Sequence, residues 1–218
     1  MKSLSITTDL ARLLQSYFCS YLINQHQFSH HTVSSYRDMF RLLLPFIATQ
    51  QNKPISSLSL SDINAEVILL FLQYLEDVRG NKVKTRNARL AAIHSFLGYV
   101  AMEEPQLLLE IQRVLAIPEK KTDHFLFKCL DKDEMDVLLN VHDITTWTGK
   151  RDHILLLTMY NTGARVSEIA RIQIKDVDIQ NQNAVHLHGK GRKERVIPLW
   201  SQTISELRSW IKSLGNSP

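Results

Sequence analysis

Two short runs carry residue types that can work on a phosphate. The first is Thr162-Gly163-Ala164-Arg165-Val166-Ser167-Glu168-Ile169. A glycine turn there presents Arg165 at the start of a helix, where unpaired backbone N–H groups favour an anion. The guanidinium adds a planar fork matched to two phosphate oxygens. Glu168 stands three residues on, so it shares the helical face and can orient the arginine. Taken alone, this run reads more readily as an i,i+3 ion pair on a solvated helix. The second run is Gly189-Lys190-Gly191-Arg192-Lys193-Glu194-Arg195. A lysine between glycines at a hairpin tip can reach into a groove, neutralise charge and donate a proton. Taken alone, it reads more readily as a solubilising basic turn.

Other clusters suit binding more than chemistry. Lys84, Thr85, Arg86 and Arg89 gather at a helix start. Helical spacing puts 85, 86 and 89 on one face, opposite Ile93 and Phe96. That face suits phosphate and major-groove contacts with double-stranded DNA. His30, His31, Ser34, Ser35 and Arg37 form a weaker polar surface of the same kind. His186 and His188 alternate on one strand face. A His-x-His pair can bind zinc, but no further ligand cluster is evident in the sequence, so the pair reads as strand surface and no metal is expected. Trp147, Trp200 and Trp210 read as packing residues, as do all six tyrosines, which fall in or beside apolar stripes.

The elements that must position these groups follow from periodicity. Leu10, Leu13, Leu14, Tyr17, Phe18 and Tyr21 recur at helical spacing. So do Val33 to Ile47 behind Thr32, Ile63 to Tyr74 behind Asp62, Ile93 to Val100, and Leu107 to Leu115. Each stripe is too narrow to stand alone, which predicts a four- or five-helix bundle. The proline and charged residues from Ile117 to Asp123 break the pattern and suit a linker. Beyond them, 131–141, 151–160 and 165–172 read as helices. Ala184-Val185-His186-Leu187-His188 alternates at period two, and Glu194 to Leu199 returns as its hairpin partner. Ser201 then opens a last helix with Ile204, Leu207, Ile211 and Leu214 on one face. That apolar face is expected to be bare, and the second domain marginal.

Composition bounds the function classes. The chain has 218 residues, 44% hydrophobic and 22% charged, an ordinary globular balance that excludes disorder as the main state. Net charge is +4, which permits a nucleic-acid partner without requiring one. Two cysteines, Cys19 and Cys129, exclude a disulfide framework and suit a reducing cytoplasm. No apolar run is long enough to span a membrane.

The two phosphate-directed runs, in this order and after a helical bundle, resemble the tyrosine recombinase (phage integrase, Xer-like) family. Asn87 to Phe96 resembles the fourth helix of that family's N-terminal domain, and Thr32-Val33-Ser34-Ser35-Tyr36 its second. The resemblance implies a mainly α chain: an N-terminal helical bundle (a SAM-like core-binding domain) plus a truncated α+β catalytic domain with a β-hairpin. The expected divisions are 1–116 for the DNA-binding domain, 117–126 for the linker and 127–218 for the partial catalytic domain. The implied reaction is attack of a tyrosine hydroxyl on a DNA phosphodiester to give a 3′-phosphotyrosyl bond, with no metal or nucleotide cofactor. Arg165 would neutralise charge on the phosphoryl oxygens, Lys190 would protonate the leaving 5′-oxygen, and Glu168 would support Arg165. Lys84, Thr85, Arg86, Arg89, Arg37, Arg192, Lys193 and Arg195 would contact DNA, with the two domains forming a clamp and other recombinase subunits on the same DNA.

The family pattern continues to a His-x-x-Arg box and a nucleophilic tyrosine. None of the nine histidines has Arg three residues later, and all six tyrosines precede Arg165. The expectation is therefore part of a site-specific recombinase whose complete protein cleaves and rejoins DNA, this chain lacking the nucleophile and only binding DNA. One alternative is a stand-alone non-catalytic protein that occupies recombination sites; a weaker one is a helical interaction module with no DNA role.

Overall fold

The computed structural model describes residues 7–122, 129–189, 191 and 193–214. The chain divides into two compact units, Met1–Phe125 and Leu126–Pro218.

The first unit is helical. α1 (Thr7–Ser16) runs on into a π-wound segment, Tyr17–Gln25. α2 (His30–Gln50) is capped three residues before the expected Thr32, because the Ser29 hydroxyl takes the cap and accepts the Thr32 N–H at 3.2 Å. α3 (Ala65–Asp77) is capped by Asn64, whose Oδ1 accepts the Val67 N–H at 3.0 Å. Asp62, the expected cap, instead closes the 3-10 turn before it, accepting the Ser59 N–H at 2.8 Å and the Lys53 ammonium at 2.7 Å. α4 (Val83–Glu103) and α5 (Leu108–Leu115) complete the bundle.

The core sits where the apolar stripes meet. Phe96 of α4 is 1% exposed and packs edge-on against Tyr17 and Phe40, with ring centroids at 5.3 and 5.0 Å. Tyr17 is fully buried and donates its hydroxyl to Ser95 at 2.8 Å. Burial drives the Tyr17 phenol pKa up, so this tyrosine is a packing residue and no nucleophile.

The second unit mixes helices with a small sheet. α6 (Lys132–Asn140) opens on a reciprocal cap between Asp131 and Glu134. α7 (Trp147–Thr162) starts earlier than the expected Arg151 because Thr146 caps it, and Gly163 ends it at φ +60, a left-handed conformation that glycine adopts without strain. A single short turn, α8 (Val166–Ile169), follows. β1 (Val177–Asp178), β2 (Ala184–His188) and β3 (Glu194–Pro198) form an antiparallel sheet in that order, with Leu187 opposite Arg195 and His188 opposite Glu194. α9 (Ser201–Leu214) lies on α7.

Val185, Leu187, Ala164, Ile169 and Leu199 make the second core. Two expectations change here. Ile204 and Leu207 of α9 pack onto that core, so the face expected to be bare is covered at its first half, and Leu214 is the exposed member. Trp147 and Trp200 are about half exposed, and Tyr160 meets Trp200 edge-on at the surface.

Candidate active site and nucleic-acid interface

Arg165 stands at the junction of α7 and α8, held by the carboxylate of Glu168. Glu168 Oε1 accepts the Arg165 Nη1–H at 3.0 Å, and Oε2 accepts the Arg165 backbone N–H at 3.0 Å. Oε2 also accepts Arg195 Nη2–H from β3 at 2.7 Å. The carboxylate is 4% exposed, whereas the Arg165 side chain is 73% exposed. One buried anion thus fixes a guanidinium whose remaining donors face solvent. Of the backbone N–H groups at this helix start, that of Arg165 itself is taken by Glu168.

Arg195, expected on DNA, donates to Glu168 and keeps a side chain 37% exposed. β3 alternates, so Arg195 and Ile197 face the core side while Glu194 and Val196 face out. The Arg195 hydrogen bond, followed by the Arg165 backbone, holds Glu168 down at about 2 from an ordinary 4.5. The folded value is the lower one, so this ionisation stabilises the unit above pH 4.5, and the contribution disappears as pH falls from 4.5 towards 2. Denaturant stability of the second unit is therefore expected to be flat in this respect above pH 4.5 and to fall below it. Glu168→Gln should remove that acid limb.

The hairpin meets the same carboxylate. A Cβ on Gly189 would lie 3.1 Å from the Lys193 carbonyl, 3.3 Å from Glu168 Oε1 and 3.5 Å from Arg195 Nη1, so the hairpin backbone passes close against that carboxylate. Gly189 N–H closes the loop on the Lys193 carbonyl at 2.6 Å. Lys193 is exposed. Lys190 and Arg192 lie outside the described residues, but Lys190 is the chain neighbour of a residue seated against the Arg165–Glu168–Arg195 cluster.

In the first unit, a groove runs between the starts of α2 and α4, lined by His31, Ser34, Ser35, Asp38, Thr85 and Arg89. Lys84, Thr85 and Arg37 are exposed. Arg89 is half-buried, and its Nη1 has no hydrogen-bond partner among the described residues. Burial, then the charge of Arg79, lowers the Arg89 pKa. Arg86 does not share this face. It is 4% exposed, and its Nη1 donates to Asn87 Oδ1 and to the Pro118 carbonyl, each at 3.1 Å. The segment after α5 folds back over the start of α4. Asn87 brackets the Lys120 backbone, accepting its N–H at 3.1 Å and donating to its carbonyl at 2.7 Å, while Lys120 Nζ reaches Glu76 at 2.8 Å. Residues read as linker from Ile117 onward are therefore tied to the first unit as far as Lys120.

A bundle followed by a mixed α/β unit that anchors an exposed arginine beside a glycine hairpin defines an integrase-type chain. Residues 128–217 match the phage integrase family, and residues 16–104 match the phage integrase N-terminal SAM-like domain. The integrase/recombinase y4rD of Sinorhizobium fredii is 42% identical over 191 residues, 87% of this chain and 68% of that protein. Its companion y4rC is 45% identical over 204 residues, 94% of this chain and 61% of that protein. The XerC tyrosine recombinase of Bacillus subtilis is 29% identical, with 61% of its length covered. Among solved structures, the XerH site-specific recombinase bound to difH shares the fold at TM-score 0.62 and 20% identity, over 85% of this chain and 54% of that one. The chain belongs to the tyrosine recombinase (phage integrase) family. It spans about three-fifths of the length of y4rC and of the XerC proteins. No helix among the described residues is long and apolar enough to cross a membrane.

Proposed function

We propose that this chain binds double-stranded DNA at a site-specific recombination target and holds the scissile phosphate with Arg165 and Lys190. The observation that carries this reading is the exposed Arg165 guanidinium clamped by buried Glu168, with the Gly189 backbone against the same carboxylate. An arginine fixed before the substrate arrives stabilises developing phosphoryl charge without reorganising. In the reaction a tyrosine hydroxyl attacks phosphorus, the P–O5′ bond breaks, and Lys190 gives its proton to the departing 5′-oxygen. Arg165 neutralises a non-bridging oxygen. No metal or nucleotide takes part. Thr85 and Arg89 contact the duplex backbone from the α2–α4 groove, the exposed Lys84 and Arg37 contact it beside them, and Arg192 and Lys193 do so from the hairpin tip. The protein works in the cytoplasm, alongside other recombinase subunits on the same DNA.

No tyrosine follows Arg165 in these 218 residues. The covalent step therefore needs a tyrosine from outside them, and the 218-residue chain alone binds without forming an adduct. The test is incubation with a target duplex nicked to trap the covalent intermediate. Expected is a shifted complex at low salt that dissociates fully in denaturant. An adduct surviving denaturant would overturn the non-cleaving reading; no shifted complex at low salt would overturn DNA binding itself.

A further inference from the structure

The outer face of the hairpin carries a cluster that the recombination chemistry does not use. His186 and His188 project from β2 on that face, with their rings 4.6 Å apart. Glu194 stands opposite His188 on β3. The Glu194 carboxylate lies between the two imidazoles, with Oε2 3.2 Å from His186 Nε2 and Oε1 3.0 Å from His188 Nδ1. One donor atom from each residue lies within 4.8 Å of the others. Zinc–nitrogen and zinc–oxygen bonds are about 2.0–2.2 Å, so tetrahedral ligand atoms stand roughly 3.3–3.6 Å apart. The two nitrogen–oxygen distances lie just below that range and the three donors within 4.8 Å of one another, so the triad is close to the spacing a metal needs.

A second observation concerns how His188 is oriented. Its other ring nitrogen, Nε2, faces Asp176 Oδ1 at 3.6 Å. The Asp176 side chain is only 8% exposed and is fixed by accepting the Gln173 N–H at 2.9 Å. In the metal-free structure His188 Nδ1 hydrogen-bonds Glu194 at 3.0 Å, and once a metal takes Nδ1 the carboxylate near the far nitrogen favours the proton on Nε2. That is the outer support metal-bound histidines ordinarily have. Two imidazoles and one carboxylate, with a fourth position open to water, form a donor set that suits zinc and its neighbours Co²⁺ and Ni²⁺ over Mg²⁺ or Ca²⁺.

From this geometry we infer that His186 Nε2, His188 Nδ1 and Glu194 form a zinc-type divalent metal site on the outer face of the hairpin, with Asp176 as the positioning residue behind His188. The site does not depend on the phosphate chemistry, because Arg195 and Glu168 meet on the other face of the same strand. Bound metal cross-links β2 to β3 at His188 and Glu194, the last pair before Gly189. It therefore fixes the base of the loop that carries Lys190.

The experiment uses the 218-residue chain, free of any polyhistidine tag and stripped with chelator. Co²⁺ is titrated while its visible d–d absorption is followed, and Zn²⁺ is then added in competition. Expected is one Co²⁺ per chain with the intense bands of tetrahedral coordination, displaced by one Zn²⁺. His188→Asn and Glu194→Gln should each abolish those bands. Asp176→Asn should keep the 1:1 stoichiometry and weaken affinity about 10–100-fold. A His30→Asn, His31→Asn control should leave the titration unchanged. The weak octahedral spectrum of hydrated Co²⁺, stoichiometry other than one, or binding indifferent to Glu194→Gln would overturn the assignment.

Discussion

Raising salt from 50 to 200 mM should weaken DNA binding by ~10³–10⁵-fold, the loss that goes with about 6–10 phosphate contacts. The chain-wide charge of +4 cannot by itself produce such a slope. The slope must come from cations grouped where a backbone can reach them: Lys84 and Arg89 at the α4 start, Arg37 on α2, and the hairpin tip. Arg89 is the informative member. It lines the groove, and its Nη1 has no hydrogen-bond partner among the described residues, so turning that guanidinium outward to a phosphate oxygen gives up no existing bond at Nη1. Replacing one phosphate-contacting cation lowers the slope of log K against log salt by about 0.9. Arg89→Ala should show that change in filter-binding or anisotropy titrations across the salt range. A flat salt dependence would remove the electrostatic basis of the interface.

Arg86→Ala should cost the first unit about 1.5–3 kcal/mol, the worth of a hydrogen-bonded charged group with buried partners. The substitution leaves the Pro118 carbonyl without its donor and loosens the segment that Asn87 and Lys120 hold against α4. Urea unfolding of the first unit measures the loss. Lys84→Ala, two residues earlier and exposed, should leave that transition in place while weakening DNA binding. If instead Arg86→Ala changes DNA affinity at constant stability, the buried placement is wrong. The contrast matters because spacing within the helix treats both residues as members of one basic cluster.

That pair also shows where the sequence stops being informative. Helices were legible because apolar residues at three- and four-residue spacing must bury together, and the α2, α3 and α4 stripes do so around Phe40, Phe71 and Phe96. The pairing of Arg165 with Glu168 was legible because an i,i+3 relation is local. Arg86 was not, since its environment is set by a carbonyl 32 residues away, and no helical wheel contains the returning chain. The pairing of Arg195 with Glu168 depends on strand alternation, which a basic run conceals: five of the seven residues from Gly189 to Arg195 are charged. Glu194 is hidden as a neighbour of the histidines for the same reason. Its relation to His188 is a cross-strand register, six positions apart in sequence and directly opposite in space. β1 is two residues long and leaves no periodic trace.

The fastening of Lys120 to Asn87 and Glu76 bears on how such proteins exchange halves. A chimaera joined at residue 117 would sever the donor bundle from the strip of backbone that completes its α4 start, leaving Arg86 and Asn87 facing a foreign sequence. A junction after Thr122 carries the whole seam along with the bundle it belongs to. The first unit therefore extends through Lys120, beyond the proline that punctuates the sequence.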